Sequence, residues 1–188
     1  MFNFNSQHAN GNNNQQARRD INNYFFTQQD EKMRELIEAY KIEQKNNPKF
    51  NEIIDELDFY LNPIKEEEQN IIGLEKKLED GQMDNYIEYA MTMKDIFWRK
   101  VERNRFSKVA QQIFLYVMAD VLALFKFKIY PLIQNDTDHE IIMSKIYDEI
   151  ILVLINKLGE NILDIYSDSI TGMIFFLTGN CHIKWSKK

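Results

Sequence analysis

The sequence predicts an all-α, multi-helix bundle with a polar Asn/Gln-rich N-terminal arm, and three observations predict it. After residue 26, apolar side chains recur three and four positions apart through most of the chain, the spacing that gathers them on one helix face. Asn-Pro pairs and glycines that stop helices, and Ser, Thr and Asp residues that start them, fall between those stretches. Residues 1–26 lack any helical period. The expectation is an arm over 1–26 and a helical domain over 27–188 with about six to eight helices.

The arm is dominated by Asn and Gln. Its composition suits a disordered segment. It also suits short polar strands turning at Asn10-Gly11, because Asn-Gly favours a tight hairpin turn and Asn and Gln ladders pair between chains. Strands that bury so little need a second surface, so a homo-oligomer through residues 1–26 is expected.

The first helix should begin near Thr27, with Asp30 at capping-box spacing, and carry Met33, Leu36, Ile37 and Tyr40 as its stripe. Asn46-Asn47-Pro48 stops it and starts the next. Phe50, Ile53, Ile54, Leu57, Tyr60 and Leu61 face the core from the second helix, and Asn62-Pro63 repeats the stop and start. Glu66, Glu67 and Glu68 suit the positive end of a third helix, which Gly81 should close. Asp84 is the expected cap of a fourth helix reaching about Arg105. Ser107 should cap a long fifth one, apolar on both sides and therefore central, ended by Pro131 after Tyr130. Asp136-Thr137-Asp138 opens the next, with Gly159 as its stop. Its run Ile150–Ile155 would also fit a strand, but the pattern persists for over twenty residues and favours a helix. Glu160–Tyr166 reads as a short helix. Ser167-Asp168-Ser169 caps another through about Leu177, and Cys181–Trp185 reads as an extended end.

Composition narrows the function. A hydrophobic fraction of 44% over 188 residues is enough for one core. The net charge of -6 argues against a general nucleic-acid binder. One cysteine allows no internal disulfide and fits a reducing, cytoplasmic setting. The polar N-terminus carries no apolar leader core, and the longest apolar runs are too short for a bilayer, so no membrane partner is expected.

No motif announces a chemistry. Cys181 and His182 are adjacent, while His8 and His139 lie in unrelated segments, so no metal site is expected. A Cys–His pair works across a fold and not along an extended segment, and the apolar neighbours of Cys181 mark it as core. Phosphate-cradling glycine loops are absent, so no nucleotide or dinucleotide cofactor is expected either. Asp120 stands out inside an apolar helix. It should pair with a lysine or arginine, or line an interface; an enzyme site around Asp120 or His182 is the remotest of the readings. Arg99, Lys100, Arg103, Arg105 and Lys108 form a locally cationic run that suits nucleic-acid phosphates or an acidic partner. The plainer reading is a helix end whose cations oppose its dipole.

The densest apolar stretch is Ser169–Trp185. Chain ends fray unless tied down, so this one should be buried, in its own core or against a partner. Met173, Phe176, His182, Lys184 and Trp185 are its expected partner-contact residues.

Two stretches resemble a known family. Ile170-Thr-Gly-Met-Ile-Phe-Phe-Leu-Thr-Gly-Asn-Cys-His-Ile-Lys-Trp185 is similar to the close of helical C-terminal domains in bacterial ABC-three-component antiphage systems. Ala9–Asn22 resembles the polar "ASG…GRDI" segments of such proteins, with Arg18-Arg19-Asp20 where Gly-Arg-Asp is usual. The resemblance implies a system that pairs an SMC-like or ABC-like ATPase with a small middle component and an effector. It implies that this chain is a non-enzymatic adaptor or regulatory subunit coupling the two. The alternative is a helical nucleic-acid-binding regulator that uses the Arg99–Lys108 cluster.

Overall fold

A computed structural model describes residues 30–46, 54–64 and 73–187, and every regular element among them is helical. There are seven helices among the described residues, within the expected six to eight. The arm, Thr27, the Asn47-Pro48 break, Phe50, Ile53, the acidic head Glu66–Glu68 and the Ala9–Asn22 stretch lie outside the described residues.

Helix α1 is Glu31–Asn46. Asp30 is itself the N-cap: its Oδ1 accepts from the backbone N–H of Lys32 at 2.9 Å and of Met33 at 3.2 Å. Helix α2 is Asp55–Leu61, buries Leu57 and closes at Asn62. Helix α3 is Leu74–Asp80, capped at its C-terminus by Gly81. The left-handed residue there is Gln82, at φ 57°. Gly81 is needed for a different reason, because a Cβ on it would lie 2.5 Å from the Cβ of Trp185.

Helix α4 is Ile87–Arg103. The expected Asp84 cap is corrected. A 3-10 turn over Asp84–Tyr86 intervenes, and no side chain caps it. The first α-helical turn therefore lies beyond the reach of Asp84.

Helix α5 covers 108–134 in three parts: Lys108–Leu124, a π turn Phe125–Ile129, and Tyr130–Gln134. Ser107 caps it as expected, its hydroxyl accepting from Ala110 N–H. Glu43 of α1 completes the cap. Its carboxylate takes the Ser107 hydroxyl and the N–H groups of Lys108 at 3.0 Å and Val109 at 3.4 Å. Pro131 does not end the helix. Tyr130 N–H reaches back five residues to the Phe125 carbonyl, and this wider turn carries the chain past a residue that has no N–H to donate.

Helix α6 covers 139–158, as His139–Ile146, a π turn Tyr147–Ile151, and Leu152–Leu158. Asp138 caps it and Gly159 stops it, as expected. The Ile150–Ile155 run is helical. Residues 160–166 are not a helix. Asn161 brackets them, its Oδ1 accepting from Ile165 N–H at 2.7 Å while its amide donates to the Ile165 carbonyl. That local pairing replaces the helical one.

Helix α7 is Ser167–Gly179, and every residue from Ser169 to Thr178 is buried. It, more than α5, is the innermost helix, and it packs most extensively on α4. The contact is closest at Gly172, which lies against the Met93 carbonyl and Phe97. Beyond it the chain turns in a Schellman motif. Cys181 N–H donates to Thr178 C=O, His182 N–H donates to Leu177 C=O at 2.9 Å, and Cys181 takes φ 67°. Residues 181–185 form no strand, yet they alternate as expected: Cys181, Ile183 and Trp185 are buried, His182 and Lys184 half-buried. Among the described residues no helix is long and apolar enough to cross a membrane.

Candidate functional site

The C-terminal end of α4 and the turn after it carry exposed aromatic and cationic side chains. Trp98 lies flat on Phe176 of α7, 5.6 Å between centroids and 7° between planes, with its outer face exposed. Phe106, in the turn after α4, is 49% exposed, and the Arg105 guanidinium sits 4.5 Å from its ring centroid. Tyr166, at the start of α7, is 55% exposed, with Lys100 Nζ 5.9 Å from its ring. The Lys100 ammonium also donates to the Asp164 carbonyl, which fixes the 159–166 loop beside α4. Gln111, buried in α5, supports the turn by donating to the Arg105 carbonyl at 2.8 Å while accepting from Ile54 N–H at 2.9 Å.

The five predicted cations do not act as one free cluster. Arg99 pairs with Asp95 at 2.8 Å and Arg105 with Glu102 at 3.5 Å. Glu43 meets the backbone N–H of Lys108. Arg103 is exposed and has no ion pair among the described residues. Exposed pairs of this kind are weak, worth about 0–1 kcal/mol, so a partner can exchange them. The exposed side chains at this end include Trp, Tyr and Arg, and Arg99 and Arg105 already have carboxylate partners, a composition that suits protein more than phosphate.

The apolar ending is buried in the chain's own core. Met173, Phe176 and Trp185 are 0%, 5% and 4% exposed. Trp185 packs between Phe125 and Phe175 and donates its indole N–H to Thr178 Oγ1 at 3.0 Å. Of the three, Phe176 supports Trp98 from beneath; His182 and Lys184 reach an open cleft of about 380 Å³ with Leu122, Lys126 and Tyr130. His182 is held by Phe59 and Tyr60, at centroid distances of 5.1 and 5.5 Å, with Nε2 3.3 Å from the Asn62 carbonyl and Nδ1 buried without a partner. Burial pushes its imidazole below the ordinary value, and Lys77 adds to this against the opposing backbone carbonyls. Asn180 ties the same place, its amide donating to the Tyr60 and Leu61 carbonyls at 3.0 and 2.9 Å.

Asp120 finds its expected lysine. Lys157 Nζ lies 2.6 Å from Asp120 and 3.0 Å from Asp30, and 4.3 Å from the centroid of the Tyr116 ring. The Tyr116 hydroxyl donates to Asp30 Oδ2 at 2.6 Å. Burial opposes ionisation of Asp30, but the Tyr116 and Lys157 hydrogen bonds outweigh it and hold the carboxyl at about 2. The Lys157 ammonium is held above its ordinary value, since Asp120, Tyr116 and Asp30 outweigh its burial. This network fastens α1, α5 and α6 together. No group of three or more metal-ligating side chains occurs among the described residues.

Sequence reasoning found the cations of the α4 end and missed their aromatic companions. Phe106 was within the run. Tyr166 is sixty or so residues away, and the packing of α7 on α4 together with the Lys100–Asp164 bond brings it in.

The family model for C-terminal domain 9 of the ABC-three component systems matches residues 73–185, more than half of the chain. The match begins at the residue before α3 and ends on buried Trp185. No curated protein and no solved structure matches the chain.

Proposed function

This chain belongs to the family of C-terminal domain 9 of the ABC-three component systems, and from that premise we propose that it is a non-enzymatic adaptor subunit of an antiphage complex. It couples an ATPase to an effector by docking protein, with the α4 end as the docking surface. The observation that carries the reading is that the last turns of α4 and the turn after it expose Trp98, Arg103 and Phe106, while Tyr166 is held beside Lys100. Trp, Tyr and Arg are the side chains that concentrate binding energy in protein interfaces. The core stacking of Trp98 and the Lys100 bond to the loop hold the surface in one shape before any partner arrives, which lowers the ordering cost of association.

The test is co-purification and titration against the ATPase component of the same system, with Arg103→Glu and Phe106→Ser as variants. Both side chains are exposed, so helicity by circular dichroism should stay at the native level. Each variant should weaken binding at least about tenfold. Native-strength binding by both overturns the docking surface. Salt-dependent DNA binding that disappears in the Arg99/Arg103/Arg105→Ala variant replaces it with the nucleic-acid reading.

A further inference from the structure

We infer that helix α6 is a homodimerisation surface, on which a second copy of this chain lies antiparallel. The inference stands on α6 alone and does not rest on the docking role of the α4 end. The buried face of α6 holds Ile142, Ile146, Ile150, Leu154 and Leu158. The opposite stripe, at spacings of three and four, is Ile141, Lys145, Asp148, Leu152 and Ile155, all exposed. Ile141 is 52% exposed, Leu152 37% and Ile155 36%. Solitary exposed apolar residues need no explanation, but three on one stripe of a helix, opposite the face it buries, do. Tyr147 and Val153 flank the stripe and are exposed as well.

The order of residues in the stripe says what covers it. Lys145 and Asp148 are its only charges, one turn apart and opposite in sign. Neither has an ion pair among the described residues. Across a two-fold axis a surface meets itself, so residue i faces j and j faces i. An antiparallel pair of α6 helices centred between Ile146 and Tyr147 places Lys145 opposite Asp148 of the second copy, twice. The same register places Ile141 opposite Leu152, twice. Every stripe position from 141 to 152 then meets its complement, with two apolar contacts outside two ion pairs. Shifting the helices by one turn sets Asp148 against Asp148 and loses both pairs. The charge order thus selects one register as well as the partner. A helix of this length spans roughly 30 Å, and one helix pair buries less than a standard interface, so the dimer is a weak one, with dissociation in the micromolar range.

The full chain, followed by sedimentation equilibrium across micromolar concentrations, tests this. The native chain should show a monomer–dimer equilibrium. Lys145→Glu sets two carboxylates against each other at each crossing, and Asp148→Lys sets two ammonium groups against each other there. Each variant alone should raise the dissociation constant at least about tenfold, with native circular dichroism. An equimolar mixture of the two variants should regain the native constant, because every cross-copy contact in the mixed dimer is again an opposite pair. A chain that stays monomeric throughout overturns the inference. So does a dimer indifferent to both reversals, which would place association on another surface.

Discussion

The approach of α7 to α4 at Gly172 makes a prediction whose sign depends on which of two effects is larger. In Gly172→Ala the new Cβ would lie 2.3 Å from the Met93 carbonyl oxygen and 2.6 Å from Phe97 Cβ. A relaxed carbon–oxygen contact begins near about 3.3 Å, so the helices must part locally by about 1 Å. Neither neighbour can swing aside, since one is backbone and the other is a Cβ. Overpacking of this kind costs about 1–3 kcal/mol, and a backbone obstacle puts it near the upper figure. Alanine returns about 1 kcal/mol of helix propensity. The net is a loss of about 2 kcal/mol, or roughly 4–8 °C in Tm for a domain of this size. Gly179, in the same helix, provides the control. A Cβ there meets only the mobile end of Lys94 at 3.1 Å and Leu74 Cβ at 3.7 Å, so Gly179→Ala should stay within about 0.5 kcal/mol of native. Urea unfolding followed by circular dichroism reads both variants. Equal stability of the two alanine variants would refute the close-approach argument.

Thr178→Val keeps the shape at a fully buried position and removes the acceptor of the Trp185 indole. It should cost about 1–3 kcal/mol, and Thr178→Ser should cost less; tryptophan fluorescence during urea unfolding measures both, and an unchanged midpoint for valine would refute the role of the bond. Stability should also fall with acid in two steps. His182 is depressed in the fold, so the unfolded chain takes up its proton first, and its contribution is complete above about pH 6.5 and lost as pH falls through the folded value. Asp30 lies at about 2 in the fold against 3.8 outside it, so its contribution, roughly 1 kcal/mol after solvent screening, is present above about pH 4 and lost towards pH 2. Urea midpoints over that range check both steps, and the upper one should vanish in His182→Gln.

Much of the fold was legible because its signals are local. Ser107, Asp138 and Gly159 each act within one helical turn of the residue they cap or stop, and each stands where the spacing predicted. Pro131 misled because the π turn that accommodates it has no residue signature in Phe125–Ile129. Glu160–Tyr166 misled because Asn161 offers the backbone of Ile165 a local alternative to the helix. The burial of Ser169–Trp185 followed from its composition, but composition does not distinguish a core from a docking face, and the structure assigns Met173, Phe176 and Trp185 to the core. At the candidate site the cationic run could be read directly. What neutralises Arg99 and Arg105 is three or four residues away and was equally visible. What joins Tyr166 to Lys100 depends on the tertiary path of the chain.

The carboxylate of Glu43 separates two boundaries that are easily confused. Kinship, as the family match draws it, starts at Gly73; mechanical self-sufficiency starts earlier, because the amides that open the longest helix of the kindred portion are held by a side chain thirty or so residues upstream of it. Asp30 repeats the arrangement at Lys157. Whatever moves the preceding segment therefore pulls on the start of α5 and the end of α6.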